Sequence, residues 1–204
     1  GAYEEAAVLY RSNAQSRAIE EALLRVSIPY RIYGGLRFYE RLEIKNAIAY
    51  LRIIFNNSDN PSFERSISNP TRGVGEKTLG KIRQTAKKYN ISYIKASAKL
   101  IDEGLISGRG GVGLRDYLEF VVGCKEFIED NTLSELMELI IKESGLYAYH
   151  AKEAGEKGKT RIENLEELIT ATKNFEQSIK EDKSNLEIAE SYLDVISLDS
   201  GDRQ

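Results

Sequence analysis

The chain has 204 residues, of which 41% are hydrophobic, so it is long enough to bury one sizeable core or two small ones. Its net charge of −3 argues against a protein covered with nucleic acid, and its single cysteine excludes an internal disulfide and a cysteine-based zinc site. The sequence contains neither a signal peptide nor an apolar run that could span a bilayer, so we expect a cytoplasmic location.

The first 33 residues predict a small β-α-β fragment. Residues 6–10 (AAVLY) and 30–33 (YRIY) have the composition of strands, and residues 16–26 have the periodicity of a helix. Three elements are too few to complete a sheet. The fragment therefore either packs on the helices that follow or belongs to a larger domain.

The remainder of the chain predicts a mainly α protein. After Gly34 and Gly35 the helical periodicity covers residues 41–55, 61–68, 76–89, 92–103, 114–129, 132–143, 161–173 and 186–196. Residues 177–185 are polar and predict a loop. Cys124 has apolar neighbours in the sequence, so we expect a buried thiol.

The most informative segment reads SNPTRGVGEKTL and lies just before a predicted amphipathic helix. Gly73 and Gly75 predict a turn with positive φ, at which backbone N–H groups and the helix N-terminus can approach an anion. Arg72, Lys77 and Thr78 add side-chain donors. These features predict a helix-hairpin-helix-like contact with duplex phosphates that does not read sequence. An ordinary helix-turn-helix connection with a glycine stop fits the same residues equally well.

Charge is unevenly distributed along the chain. Residues 61–100 carry nine basic and two acidic side chains, whereas residues 126–204 carry nine basic and nineteen acidic ones. A basic segment around the turn is the footprint expected of DNA contact, although a solvated, lysine-rich helix face is the commoner origin of such a segment. The acidic end is expected to be solvated or to face a protein partner.

Three other motifs do not predict a site. Residues 155–160 (GEKGKT) resemble the end of a phosphate-binding P-loop, but position 153 is Glu where that loop needs Gly. Residues 108–113 (GRGGVG) follow a helical segment instead of a strand, so we expect a flexible interhelical loop there. His150 has no second metal ligand or nucleophile nearby, so we expect a surface or capping histidine.

Four segments together resemble the UvrD/Rep/PcrA family of superfamily 1 DNA helicases. They are YRSNAQSR from position 10, PYRIYGGLRFYERLEIK from position 29, NPTRGVGEKTL from position 69 and GEKGKTRIENLEEL from position 155. The resemblance implies that residues 1–33 are part of motor domain 2A and that residues 34–204 form the helical accessory subdomain 2B. It also implies a parent motor that uses ATP and magnesium to move 3′ to 5′ along DNA in repair. The motifs for that chemistry lie outside this sequence, so the fragment is expected to hold no cofactor and to hydrolyse nothing.

The resemblance also assigns roles to residues. Arg11 and Asn13 would contact the single strand along which the motor moves, and Gly34 and Gly35 would form a hinge about which the subdomain swivels. A tight strand-to-helix turn is the alternative role for that glycine pair. The implied contacts with duplex DNA ahead of the fork are Lys45, Thr71, Arg72, Gly73, Val74, Gly75, Lys77 and Thr78. The implied partners are duplex DNA and its junction with a single strand, without sequence specificity, and the motor domains.

A protein-interaction and autoinhibitory module is the alternative function. The acidic C-terminal third and the tyrosine-rich residues 146–149 are features that a repair or transcription protein could bind. Phosphate contacts weaken steeply as salt rises, whereas an aromatic protein interface responds much less. The salt dependence of binding therefore separates the two functions.

Overall fold

A computed structural model of the chain describes residues 6–32, 37–180 and 182–199. In these residues the chain forms ten α-helices and two short 3-10 helices, Asn13–Gln15 and Phe38–Glu40. The α-helices are α1 (Ser16–Arg25), α2 (Leu42–Phe55), α3 (Asn60–Ser68), α4 (Glu76–Tyr89), α5 (Tyr93–Asp102), α6 (Gly108–Asp130), α7 (Leu133–Glu143), α8 (Leu146–Ala151), α9 (Glu156–Ser178) and α10 (Asn185–Asp199). The prediction of a mainly α fold is confirmed.

Helix α2 is the centre of the fold. Ten of its fourteen residues are buried, and it packs against α3, α6, α7, α9 and α10. A helix that is apolar on most of its circumference has to be surrounded by other elements, and here Tyr50 and Leu51 are fully covered. The helices that carry the DNA-contact residues predicted from the sequence are therefore anchored on one continuous core.

Two sharply defined connections place α3 and α4. Asp59 caps α3 by accepting a hydrogen bond from the backbone N–H of Ser62 at 3.0 Å, and Pro61 lies in the first helical turn. Helix α4 ends at Asn90, which adopts the left-handed conformation with φ of +50°. These signals are local, which is why the predicted bounds of α4 coincide with the observed ones.

The two predicted strands are wrong for the described residues. Residues 6–10 and 30–32 have no regular secondary structure, and the side chain of Leu9 is 94% exposed. A strand needs a neighbour that pairs with its backbone N–H and C=O groups, and the described residues form no sheet that could offer one. The helix between them is present as α1. The hinge predicted at Gly34 and Gly35 lies outside the described residues.

Three local predictions need correction. The glycine-rich segment 108–113, predicted as a flexible loop, is the beginning of α6. It is held in place because it packs tightly on the turn between α3 and α4. His150, predicted to be a surface or capping histidine, is only 2% exposed because α8, to which it belongs, packs against α7 and α9. Its Nδ1 lies 3.0 Å from a carboxylate oxygen of Glu153. Helix α8 is absent from the prediction because a six-residue helix is too short to show a periodicity.

The predicted burial of Cys124 is confirmed.

Candidate nucleic-acid interface

The turn between α3 and α4 contains the predicted Gly-Val-Gly sequence. Gly73 has a φ of +80°, as predicted, whereas Gly75 is the N-cap of α4 in an extended conformation with φ of −102°. An N-cap residue ordinarily has such a non-helical, extended backbone, which is why positive φ is not needed at this second glycine. Val74 is buried between the two glycines, and Thr71 is exposed on the turn.

The N-terminal part of α6 packs directly on this turn. A Cβ atom on Gly113 would lie 1.9 Å from the backbone oxygen of Arg72. A Cβ atom on Gly110 would lie 3.2 Å from both the backbone oxygen of Gly73 and the hydroxyl of Thr78. Positions 110 and 113 share one helix face, so two missing side chains let the helix approach the turn at backbone distance. In the sequence, the feature that could have predicted this contact is the i,i+3 spacing of the two glycines.

Two helix N-termini consequently lie beside the same turn. The N-cap of α4 is Gly75, which has no side chain, and the N-cap of α6 is Ser107, whose side chain makes no capping hydrogen bond. Each helix therefore presents backbone N–H groups that are not hydrogen-bonded to a capping side chain. The positive end of each helix dipole lies at the same place. Lys77 and Arg109 are exposed there, and within the described residues neither forms an ion pair. Arg109 is a candidate that the sequence reasoning missed.

Arg72 points toward the core. Its Nε donates to the backbone oxygen of Ile67 at 3.2 Å, and one terminal nitrogen donates to the hydroxyl of Tyr50. The guanidinium also lies 5.4 Å from the centre of the Tyr117 ring. Burial raises the pKa of both tyrosines, so their hydroxyls stay protonated at neutral pH. Arg72 therefore anchors the turn on the aromatic core.

Part of the positive charge around the turn is neutralised within the protein. Arg83 on α4 forms ion pairs with Glu64 on α3, at 2.6 Å, and with Glu76 in the first turn of α4. The Arg83 hydrogen bond lowers the pKa of Glu64 below its usual value. Lys99 is similarly paired with Glu103. Fewer cations around the turn are therefore available to attract a phosphate than the number of basic residues in this segment suggests.

Lys45 lies in a second surface feature. It is exposed on α2 and lines a groove together with Arg52 and Arg65. Arg65 donates to the side chain of Asn46 at 3.0 Å, and Arg52 donates to Ser197 at 3.1 Å. The structure thus groups Lys45 with two arginines that the prediction had not placed beside it.

Arg11 and Asn13 lie at the N-terminal edge of the fold, and both are exposed. The backbone oxygen of Asn13 accepts hydrogen bonds from Arg41 at 2.6 Å and from the hydroxyl of Ser16 at 2.9 Å. Arg41 also reaches the side-chain oxygen of Asn164 on α9 at 3.0 Å. This buried arginine therefore fixes Asn13 against the beginning of α2 and the middle of α9.

The described part of the chain offers neither a membrane span nor a metal site. None of its helices has the length and apolar character needed to cross a membrane. Its His, Cys, Asp and Glu side chains nowhere form a group of three that could hold a metal ion.

Comparison with known proteins adds an independent observation. Residues 1–103 match the family model of the UvrD-like helicase C-terminal domain. The whole chain is 45% identical to DNA helicase II of Escherichia coli and covers 28% of that protein. Over 97% of its length it is 36% identical to the ATP-dependent DNA helicase PcrA of Leuconostoc citreum, of which it covers 26%. The chain thus spans little more than a quarter of the length of these relatives.

Proposed function

The chain belongs to the UvrD-like helicase family, and we propose that it is an accessory duplex-DNA-binding subdomain of an ATP-dependent 3′-5′ DNA helicase that acts in DNA repair. In this proposal residues 1–33 belong to motor domain 2A and residues 34–204 form subdomain 2B. The parent helicase works in the cytoplasm with ATP and magnesium. The 204-residue chain alone neither hydrolyses ATP nor unwinds DNA.

The observation that carries the proposal is the pair of helix N-termini beside the Gly73 turn. Backbone N–H groups and the exposed cations Lys77 and Arg109 can bind phosphate oxygens without contacting any base edge. Such a surface suits an accessory subdomain that must hold a duplex of any sequence. Arg72 supports the turn from the core side in this proposal, and Lys45 provides a separate contact on α2.

The GEKGKT segment does not fit a nucleotide phosphate. Residues 156–160 are helical, and a Cβ atom on Gly158 would lie 2.4 Å from the backbone oxygen of Glu153. A P-loop needs an open loop of backbone N–H groups around the phosphates, and here the glycine is occupied by a packing contact. We therefore propose that ATP binds in the rest of the parent helicase.

Helix α1 supports the view that the chain is one piece of a larger assembly. Its buried residues are all polar, namely Ser16, Arg17 and Glu20. At its C-terminal end Leu24 and Val26 are 44% and 61% exposed, and residues 6–10 are exposed as well. Apolar side chains tend to be covered in a complete fold, so we propose that motor domain 2A covers this surface.

The proposal is tested by fluorescence anisotropy with a labelled duplex that carries a 3′ single-stranded tail. We expect the double variant Lys77→Gln/Arg109→Gln to bind more weakly and to lower the salt slope by about 0.9 for each phosphate that it no longer neutralises. Lys87→Gln/Lys95→Gln removes the same charge from exposed positions on α4 and α5 and serves as control. Equal weakening by both double variants, or no binding of the duplex at low salt, would contradict the proposal. Arg72 is left intact because its removal would disturb the tyrosine core.

One observation favours a second candidate function, the binding of a protein partner. Tyr147 and Tyr149 on α8 are 37% and 50% exposed, and aromatic side chains are enriched at protein interfaces. If this surface is the functional one, binding of the partner will be weakened by Tyr147→Ser/Tyr149→Ser and will depend only slightly on salt. The duplex titration described above would then show no effect of those two changes.

A further inference from the structure

A groove of about 490 Å³ lies between the 3-10 helix Asn13–Gln15, the beginning of α2 and the first turns of α9. Its floor is a network of buried polar groups. Asn164 donates to Glu43 at 2.6 Å and accepts from Arg41 at 3.0 Å, and all three side chains are less than 8% exposed. Arg161 donates to Glu153 at 2.6 Å. These groups satisfy one another, so the floor is a rigid base.

The rim of the groove differs from its floor. Asn13 contributes an amide, Lys157 an ammonium group and Thr160 a hydroxyl. In the described part of the chain these three side chains make no hydrogen bond and no ion pair. Three donors thus face one groove from two different elements, and no protein acceptor engages them.

The electrostatics of the groove leave Lys157 as the cation that can attract an anion. The floor is neutral overall, because Arg41 and Glu43 are buried together and Arg161 is paired with Glu153. Lys157 is exposed at the rim, and within the described residues it makes no ion pair. None of the described residues that line the groove is aromatic, so it offers no surface on which a base could stack.

We propose that Lys157 and Thr160 bind a backbone phosphate of the single strand that Asn13 contacts. The inference rests on the proposed function, in which Arg11 and Asn13 face that strand. A phosphodiester carries one negative charge and accepts hydrogen bonds at its free oxygens, which matches an ammonium, a hydroxyl and an amide on opposite walls. The beginning of α9 thereby extends the strand path from the motor domain onto the helical subdomain. The GEKGKT segment binds a phosphate of nucleic acid instead of ATP.

The test is the affinity of the 204-residue chain for a labelled 12-nucleotide oligothymidylate, measured by anisotropy at about 50 mM salt. We expect Lys157→Gln to weaken binding about five- to tenfold and to lower the salt slope by about 0.7, the value of one phosphate contact on a single strand. Thr160→Val is expected to weaken binding about twofold to fourfold, as one neutral hydrogen bond would. Lys159→Gln is the matched control, because Lys159 is exposed on the same helical turn but does not line the groove. It should change the affinity less than twofold.

Several outcomes would overturn the inference. Equal weakening by Lys157→Gln and Lys159→Gln would mean that only general charge matters. Weakening by Asn13→Ala without weakening by Lys157→Gln would mean that the strand leaves the groove before α9. If inorganic phosphate shifts the backbone amide NMR signals of residues 156–160 and the oligothymidylate does not, the groove binds a free anion and not a strand.

A duplex without a tail separates this inference from the proposed function. Lys157→Gln should leave duplex affinity unchanged, whereas Lys77→Gln/Arg109→Gln should weaken it. If the chain binds the duplex but not the oligothymidylate, the groove inference is wrong and the duplex contact stands. If the oligothymidylate binds through Lys157 while the duplex does not bind, the groove inference stands and the duplex contact is wrong.

Discussion

At the scale of single residues, Gly113 has the strictest steric requirement among the described glycines. A Cβ atom there would lie 1.9 Å from the backbone oxygen of Arg72, so Gly113→Ala must displace α6 or the turn. We expect a loss of about 1–3 kcal/mol in the free energy of unfolding, the usual range for overpacking. Gly123→Ala in the same helix is the control, because a Cβ there meets nothing within 4 Å. It should stabilise the protein by up to about 1 kcal/mol.

Urea unfolding followed by circular dichroism measures both variants. If Gly113→Ala were as stable as Gly123→Ala, α6 would not pack on the turn at backbone distance. The Gly113 variant should also weaken duplex binding, because the N-termini of α4 and α6 would no longer be held beside the same turn.

The thiol of Cys124 leads to a pH prediction. Burial raises the pKa of Cys124 to about 12, so the folded protein holds almost no thiolate at pH 8. We expect Ellman's reagent to react with the folded chain only at the rate of unfolding, and rapidly with the urea-unfolded chain. The folded state keeps a proton that the unfolded state loses above about pH 9, so stability falls as the pH rises from there. Rapid labelling of the folded chain at pH 8 would show that the thiol is accessible.

At the scale of elements, Arg83 joins the helices on either side of the turn. Its ion pair with Glu64 lowers the pKa of that carboxyl, so the pair stabilises the fold above the ordinary glutamate pKa and is lost as the pH falls through the lowered value. We expect Arg83→Gln to raise the pKa of Glu64 and to destabilise the fold only slightly at neutral pH, because solvent screens this partly exposed pair. NMR titration of the carboxyl carbon checks this. Lys99→Gln is the control, because it breaks the ion pair with Glu103 at the end of α5. It should leave the pKa of Glu64 unchanged.

Local signals explain which elements could be predicted from the sequence. Helix α4 was predicted with its observed bounds because Gly75 and Asn90 mark its two ends. The predicted strands are absent from the described residues 6–10 and 30–32 because strand formation depends on a neighbour, and composition says nothing about whether one is present. The beginning of α6 failed because glycine is a poor helix former, and its contact with the turn is tertiary.

The same distinction applies to the candidate site. The positive φ of Gly73 and the exposure of Lys77 follow from residues that are adjacent in the sequence. Arg109 comes from a distant segment, and only the packing of α6 brings it to the turn. The inward orientation of Arg72 depends on Tyr50 and Tyr117, which belong to two other helices. Charge counting alone therefore indicates a basic region, but it does not show which of its cations are already paired within the protein.

At the scale of the whole molecule, α1 is attached mainly through polar contacts. Arg17 is 4% exposed and pairs with Glu167 on α9 at 2.6 Å, and Arg41 donates to Ser16 at 2.7 Å. The core, in contrast, is apolar and continuous from α2 to α10. Polar attachments can open without exposing that core, so the N-terminal segment and the helical bundle should differ in local stability.

The last prediction follows from this difference. Arg17→Gln removes the ion pairs with Glu167 and Glu21, and hydrogen bonds to charged groups contribute about 1.5–3 kcal/mol. We therefore expect amide hydrogen exchange in α1 to become about 10–100 times faster, while exchange in α2 stays unchanged because its apolar contacts are intact. Lys142→Gln, which breaks an exposed pair with Glu138, should alter neither helix. Equal acceleration in α1 and α2 would mean that α1 unfolds only together with the core.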